Sequence, residues 1–219
     1  RVGIVDTDIQ SPGIHVLFGL NGAQIGKSLN DFLWGKHEIE QAAHDVSAHL
    51  GPDASGKIFL IPCSAKADEI VNVLREGYNV SLLTGGFRKL ISELSLDILL
   101  IDTHPGLNEE TLFSIAISHS LVIVMRPDQQ DYEGTGVTVE VARSLEVPNM
   151  TLVVNKTPAS FEIEAVRRRV QETYDVESVT VLPHCDEMMA LASGGIFSVN
   201  HPDHVLTGLY KDLAQSLSA

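Results

Sequence analysis

Short apolar runs recur along the chain at Val2–Val5, Ile58–Ile61, Ile98–Ile101, Leu121–Met125, Leu152–Val154 and Val179–Leu182, each ending in polar or turn-forming residues. Runs of this length, rich in Val, Ile and Leu and apolar at consecutive positions, fit strands of a parallel sheet covered on both faces. Helical patterns lie between them, at Glu69–Arg75, Phe87–Leu94, Glu110–Ser118, Gly136–Leu145 and Ser160–Tyr174. In the last of these, Ile163, Val166, Val170 and Tyr174 repeat at spacings of three and four and form one apolar stripe. Alternation of strand and helix predicts an α/β fold of three layers, a mostly parallel sheet with helices on both faces, because right-handed crossovers keep successive strands parallel. No internal repeat, low-complexity tract or linker interrupts the pattern, so residues 1–219 read as a single domain. The segment 19–56 departs from it. Glycines at 19, 22, 26, 35, 51 and 56 mark an irregular insertion, expected to hold short helices around Leu29–Trp34 and Glu38–His49.

Composition narrows the classes. With 44% hydrophobic residues the chain is of globular type, and 15 Lys+Arg against 29 Asp+Glu leave a net charge of −14. That balance disfavours a nucleic-acid coat or an anionic-membrane protein. Cys63 and Cys185 stand far apart, outside any CxxC or His/Cys ligand spacing, a pattern that argues against a disulfide framework and a structural zinc site and fits a reducing cytoplasm. No apolar stretch reaches the roughly 18 residues of a membrane span.

In open α/β sheets the ligand crevice lies beyond the carboxyl ends of the strands, so the residues following each run carry the chemistry. After the first run come Asp6, Thr7 and Asp8; after the third, Asp102-Thr103-His104-Pro105-Gly106. Asn155-Lys156-Thr157-Pro158 follows the fifth, and Pro183-His184-Cys185-Asp186 the sixth. Carboxylates from two strands converging on one edge make a site for a hard cation such as Mg²⁺, which in turn neutralises phosphate oxygens. An isolated strand-end Asp that merely caps the next helix is the plainer alternative.

His184-Cys185-Asp186 and His201-Pro202-Asp203-His204 look like fragments of a metal site or triad, but the histidines lack a third ligand of matching type and read as surface loop residues. Arg167-Arg168-Arg169 falls opposite the apolar stripe of its helix, which places it in solvent rather than on nucleic acid. The helix His204–Leu217 carries Val205, Leu206, Leu209, Leu213 and Leu217 with Lys211 as its one basic residue, a pattern for packing on the sheet rather than on a membrane.

Taken together, Val-Asp-Thr-Asp at 5–8, Ile-Asp-Thr-His-Pro-Gly at 101–106, Val-Asn-Lys at 154–156 and Leu182-Pro183 with Asp186 resemble, in order, the switch I strand end, the Walker B/switch II segment, the base-reading strand end and the base-closing segment of the MinD/ParA deviant-Walker P-loop ATPases. The resemblance runs over essentially the whole chain. It implies ATP and Mg²⁺ as cofactors, with Asp6 and Asp102 serving the Mg²⁺ shell, Asp8 orienting the attacking water, and Gly106 allowing switch II to approach the γ-phosphate. It implies that Asn155 presents its amide to adenine while Pro183 and Asp186 close over the base. Pro158 occupies the place where GTPases carry a guanine-reading Asp, which favours ATP. The family also implies an ATP-dependent homodimer formed through the nucleotide face, an activating or cargo protein, roles in cell division or partitioning, and a cytoplasmic location with peripheral contact at the inner membrane.

One departure stands out. A Walker A loop needs Gly-x-x-x-x-Gly-Lys-Ser/Thr, whose backbone N–H groups cradle phosphate. Ile25-Gly26-Lys27-Ser28 is the nearest candidate, but Asn21 occupies the position of the first glycine and no apolar strand precedes it. Ser28 reads instead as the N-cap of a short helix. The chain opens on Arg1 and enters the apolar run Val2–Val5 at once, so the phosphate loop is expected upstream of Arg1. On that expectation the 219 residues neither bind ATP tightly nor hydrolyse it, and the sheet exposes two strand edges that favour self-association. Two other functions remain open: a non-enzymatic scaffold with an ATPase fold, and a receiver-like phosphoacceptor built on Asp102 and Lys156.

Overall fold

The computed structural model describes residues 1–22, 24–51 and 54–218 and is an α/β structure. Its strands are β1 (Val2–Asp6), β2 (His44–Asp45), β3 (Ile58–Ile61), β4 (Ile98–Asp102), β5 (Ser120–Met125), β6 (Asn149–Thr157) and β7 (Ser178–Pro183). The α-helices are α1 (Ile14–Leu17), α2 (Leu29–Leu33), α3 (Ala67–Glu76), α4 (Leu82–Leu94), α5 (Glu109–Ile117), α6 (Gln129–Ser144), α7 (Ile163–Tyr174), α8 (Asp186–Leu191), α9 (Phe197–Asn200) and α10 (Val205–Ser218). The chain divides into two compact units, Arg1–Ser114 with Ser193–Val199, and Ile115–Ala192 with Asn200–Ala219.

The first unit holds a sheet of order β2-β3-β1-β4, in which β1 runs parallel to β3 and β4 while β2 is antiparallel to β3. The short helix expected around Glu38–His49 does not form as one element. Ile39–Ala42 and Ser47–Leu50 form 3₁₀ turns, and between them His44 and Asp45 pair with Leu60 and Phe59. Pairing across a sheet depends on residues distant in sequence and overrides a weak local helix preference. The insertion packs where side chains allow it: a Cβ on Gly86 of α4 would stand 2.8 Å from Ile39 and 2.9 Å from Phe32. Phe18, Val46 and Leu60, with Ile4, Ile14, Leu20, Ile58 and Ile196 against them, form part of the core.

The second unit holds the parallel sheet β5-β6-β7. Ile123, Met125, Leu152, Val154, Val179 and Val181 project to one face and meet Val139 of α6 and Val166, Val170 and Tyr174 of α7. The apolar stripe expected on α7 is therefore its buried face. Arg168 and Arg169 lie exposed, Arg169 over the Tyr132 ring at 5.0 Å, and Arg167 pairs with Glu164. Helix α6 starts seven residues earlier than its apolar pattern suggests, because Asp128 caps it by accepting from the Asp131 N–H. α10 lies against β7 with Leu206 and Thr207 buried.

Two strands are less covered than their apolar runs imply. β4 ends its sheet, leaving Ile98 at 39% and Leu100 at 48% exposure, and β5 ends the other, leaving Val124 at 61%. An edge strand keeps one row of backbone groups unpaired and part of its side-chain surface in water. Among the described residues, no helix is long and apolar enough to cross a membrane.

Candidate functional site

Parallel pairing of β1 with β4 sets Asp6 directly beside Asp102, since the register runs from Val2↔Ile98 to Asp6↔Asp102. The chain then tightens across the two strand ends, where the Thr7 N–H donates to the Asp102 carbonyl at 2.8 Å and Thr7 Oγ1 to the same oxygen at 2.6 Å. Asp6 is fully buried, with Oδ1 accepting from the Asp8 N–H at 3.1 Å and Oδ2 from the Gly13 N–H at 3.2 Å. Cys63, on the far side, donates Sγ–H to the Asp6 carbonyl at 3.0 Å.

Burial raises the Asp6 carboxyl to a pKa of about 6; the neighbouring Asp102 adds to the rise, and the Gly13, Asp8 and Ile14 N–H groups oppose it. Asp102 is raised as well, by burial first and then by the charge of Asp8. Asp8 turns to the next segment, where His104 Nδ1 lies 3.0 Å from its Oδ1. The His104 carbonyl accepts from Thr111 Oγ1 at 3.2 Å, tying the segment to α5. Gly106 has φ of +106°, a backbone conformation that a side chain would strain. Among the described residues no lysine or arginine pairs with Asp6, Asp8 or Asp102, so three carboxyl groups face one another with His104 as the partner of one. Asp6 and Asp102, hard oxygen donors raised in pKa and, among the described residues, without a basic side-chain partner, fit a divalent cation of the Mg²⁺ kind, which takes one or two carboxylates and completes its shell with water or phosphate.

In the second unit the predicted base-reading residues also sit at strand ends. Thr157 of β6 is opposite Pro183 of β7, and the His184 N–H donates to the Thr157 carbonyl at 2.8 Å. The strand pairing is irregular between Val154 and Thr157, where Lys156 takes φ of +56° and its N–H donates to Asn155 Oδ1 at 2.9 Å. Asp186 is exposed, and its Oδ1 lies 3.0 Å from His184 Nε2. Asp6, Asp8 and Asp102 thus gather in the first unit, which also holds Gly106, and Asn155, Pro183 and Asp186 belong to the second.

The Gly26-Lys27-Ser28 segment is a helix cap. Ser28 is buried, its Oγ accepts from the Asp31 N–H, and the Asp31 carboxylate accepts from the Ser28 N–H in return. Lys27 Nζ donates to Gln41 Oε1 at 3.1 Å. His104 is the residue that sequence reasoning passed over. Its segment was recognised, but nothing local marks a histidine that pairs with an aspartate 96 positions earlier.

No family model matches the chain. Its sequence is 23% identical over 218 residues to an uncharacterized ATP-binding protein of Methanocaldococcus jannaschii, covering 99% of this chain and 76% of that protein. It is 26% identical over 160 residues to the iron-sulfur cluster carrier protein of Pyrococcus furiosus, covering 70% of this chain and 50% of the carrier. The chain therefore spans about three quarters of the first relative and half of the second. Among solved structures, the septum site-determining protein MinD of Pyrococcus horikoshii, complexed with Mg-ADP, superposes with a TM-score of 0.78 at 17% identity, covering 99% of this chain and 83% of MinD. MinD of the MinC:MinD cell division complex of Aquifex aeolicus superposes with a TM-score of 0.74 at 16% identity, covering 99% and 83%. The chain has the MinD/ParA ATPase fold, as the strand-end residues led us to expect.

Proposed function

We propose that the chain is the body of a MinD/ParA-like nucleotide switch, in which the acidic strand ends of the first unit serve the metal and phosphate side and the strand ends of the second serve the base. The observation that carries this reading is the fully buried Asp6, set side by side with Asp102 by strand register, with the Asp6 pKa raised to about 6. Relatives support it, since one is an ATP-binding protein and another was solved with Mg-ADP.

In this reading Asp6 and Asp102 hold Mg²⁺, which when bound supplies positive charge to the phosphate oxygens. Asp8 orients the attacking water and accepts its proton, and His104 positions the Asp8 carboxylate through the 3.0 Å contact. Gly106 lets the following backbone approach the terminal phosphate and move away when it leaves. Asn155 offers its NH₂ group and the remaining lone pair of Oδ1 to adenine, with Pro183 and Asp186 flanking the base. A nucleotide held this way couples to a homodimer and to a partner protein; MinD in complex with MinC is the precedent for a partner. Division, partitioning or the positioning of another cargo, in the cytoplasm or peripherally at a membrane, is the role proposed.

The capped Ser28 and the engaged Lys27 favour a second reading, a scaffold that keeps the fold without hydrolysis. Calorimetric titration with ATP, ADP and GTP, with and without Mg²⁺, separates the two. The switch reading expects weak binding that prefers adenine nucleotides, loses the preference in Asn155→Ala and loses its Mg²⁺ dependence in Asp102→Asn, with no hydrolysis by the 219 residues alone. Equal response to ATP and GTP, or no response to Mg²⁺, supports the scaffold.

A further inference from the structure

The second unit brings His204 to two side chains, Cys185 and Glu187, that lie together in the sequence. Cys185, Glu187 and His204 each offer a ligand atom, and these atoms all lie within 4.8 Å of one another. Cys185 Sγ is 3.4 Å from Glu187 Oε2 and 4.0 Å from His204 Nε2. The fold creates the cluster by setting α8 and the start of α10 side by side. Cys185 caps α8 by accepting from the Met188 N–H at 3.4 Å, and His204 stands immediately before α10, its carbonyl accepting from the Gly208 N–H. Cys185 is 9% exposed and carries no disulfide, and Glu187 opens to solvent.

We infer that Cys185, Glu187 and His204 form a binding site for a thiophilic divalent cation of the zinc class. Thiolate, imidazole and carboxylate together suit Zn²⁺ and its neighbours rather than Mg²⁺ or Ca²⁺, which take oxygen ligands alone. Bond lengths of about 2.3 Å to sulfur and 2.0–2.1 Å to nitrogen or oxygen, arranged tetrahedrally, put donor atoms roughly 3.3–3.8 Å apart. The Cys185–Glu187 distance meets that already, and the Cys185–His204 distance needs a movement of a few tenths of an ångström. A thiol and a carboxylate in contact are a poor pair for two negative charges, and a cation between them removes the conflict. Water completes the shell as a fourth ligand.

The metal-free chain shows what loading changes. Cys185 donates its S–H to Glu187, and the Leu206 N–H donates to His204 Nδ1 at 3.1 Å, which in a neutral ring leaves the imidazole proton on Nε2. Binding releases the thiol proton to solvent and moves the imidazole proton from Nε2 to Nδ1, freeing Nε2 for the metal. The Leu206 N–H then turns to water, as first-turn N–H groups readily do.

Titration of the full chain with Co²⁺ tests the site. A 1:1 complex with a sulfur-to-cobalt charge-transfer band is expected, displaced by Zn²⁺, absent in Cys185→Ser and weakened at least tenfold in Glu187→Gln. His204→Asn keeps an acceptor for the Leu206 N–H, so a tenfold loss there reports the lost ligand rather than a lost cap. In the wild type, ¹⁵N spectra of the ring should show the imidazole proton moving to Nδ1 on loading. Absence of the band with millimolar Co²⁺, its survival in Cys185→Ser, or unchanged affinity in both Glu187→Gln and His204→Asn overturns the inference, provided circular dichroism shows each variant folded.

Discussion

Asp6 ends one apolar strand and Asp186 follows another, yet the first is fully buried and the second exposed. At Asp6 the next strand end, Asp102, stands at the same level, and backbone N–H groups from Asp8 and Gly13 fill the space around the carboxylate. At Asp186 the chain has already left β7 and entered α8, so water solvates the carboxylate and His184 is its neighbour. Burial first, and then the charge of Asp102 in register beside it, raise the Asp6 pKa, while the Gly13, Asp8 and Ile14 N–H groups hold the rise back.

The largest expected effect follows from that difference. Asp6 has a pKa of about 6 in the folded chain against an ordinary 3.8, so between those values the folded state holds a proton that the unfolded state has lost. Stability then falls as pH rises from about 4 to about 6 and levels off above, a swing of about 2–3 kcal/mol that the upward shift of Asp102 reinforces. Urea denaturation at pH 4.5 and 7.5 in chelator measures it. Asp6→Asn should flatten the profile; a flat wild-type profile would sink the account.

A smaller contrast concerns backbone. Gly106→Ala places a side chain at φ of +106° and should cost about 1–2 kcal/mol, whereas Lys156→Gly, at φ of +56°, should stabilise by up to about 1 kcal/mol. Thermal melts of the two variants should move in opposite directions, and a shared direction would count against strain at both sites. Removing the cap in Ser28→Ala should cost about 1 kcal/mol through α2; native-state hydrogen exchange at Asp31 and Phe32 reads this locally. Smallest in stability are the sheet edges. Leu100→Lys and Val124→Lys should change unfolding by less than about 0.5 kcal/mol yet reduce concentration-dependent light scattering, because a charge on an edge opposes strand pairing. Unchanged scattering in both would remove the edges as the cause of association.

The strands were legible because parallel, doubly covered strands are written as consecutive Val, Ile and Leu, and their ends gave the acids and Asn155 directly. What escaped depends on contacts made at long range. His44 and Asp45 carry no strand pattern of their own and become β2 only by meeting β3. The first turns of α6, from Gln129 to Glu133, are polar, so no apolar period announced them until Asp128 was seen as a cap. Half-exposure of β4 was hidden for the opposite reason: Ile98 and Leu100 are as apolar as any core strand. Within the sites, the pairing of His104 with Asp8 and the approach of His204 to Cys185 bridge 96 and 19 positions, distances over which residue type and spacing carry no geometry.

The reciprocal cap of Ser28 and Asp31 also limits what the chain can become. To cradle phosphate, Gly26, Lys27 and Ser28 would have to give up the Asp31 bonds, the Gln41 contact and the first turn of α2 together. Each step along that route loses stability before any ligand is bound, so the fold holds the Gly-Lys-Ser triplet to the start of a helix and away from an anion.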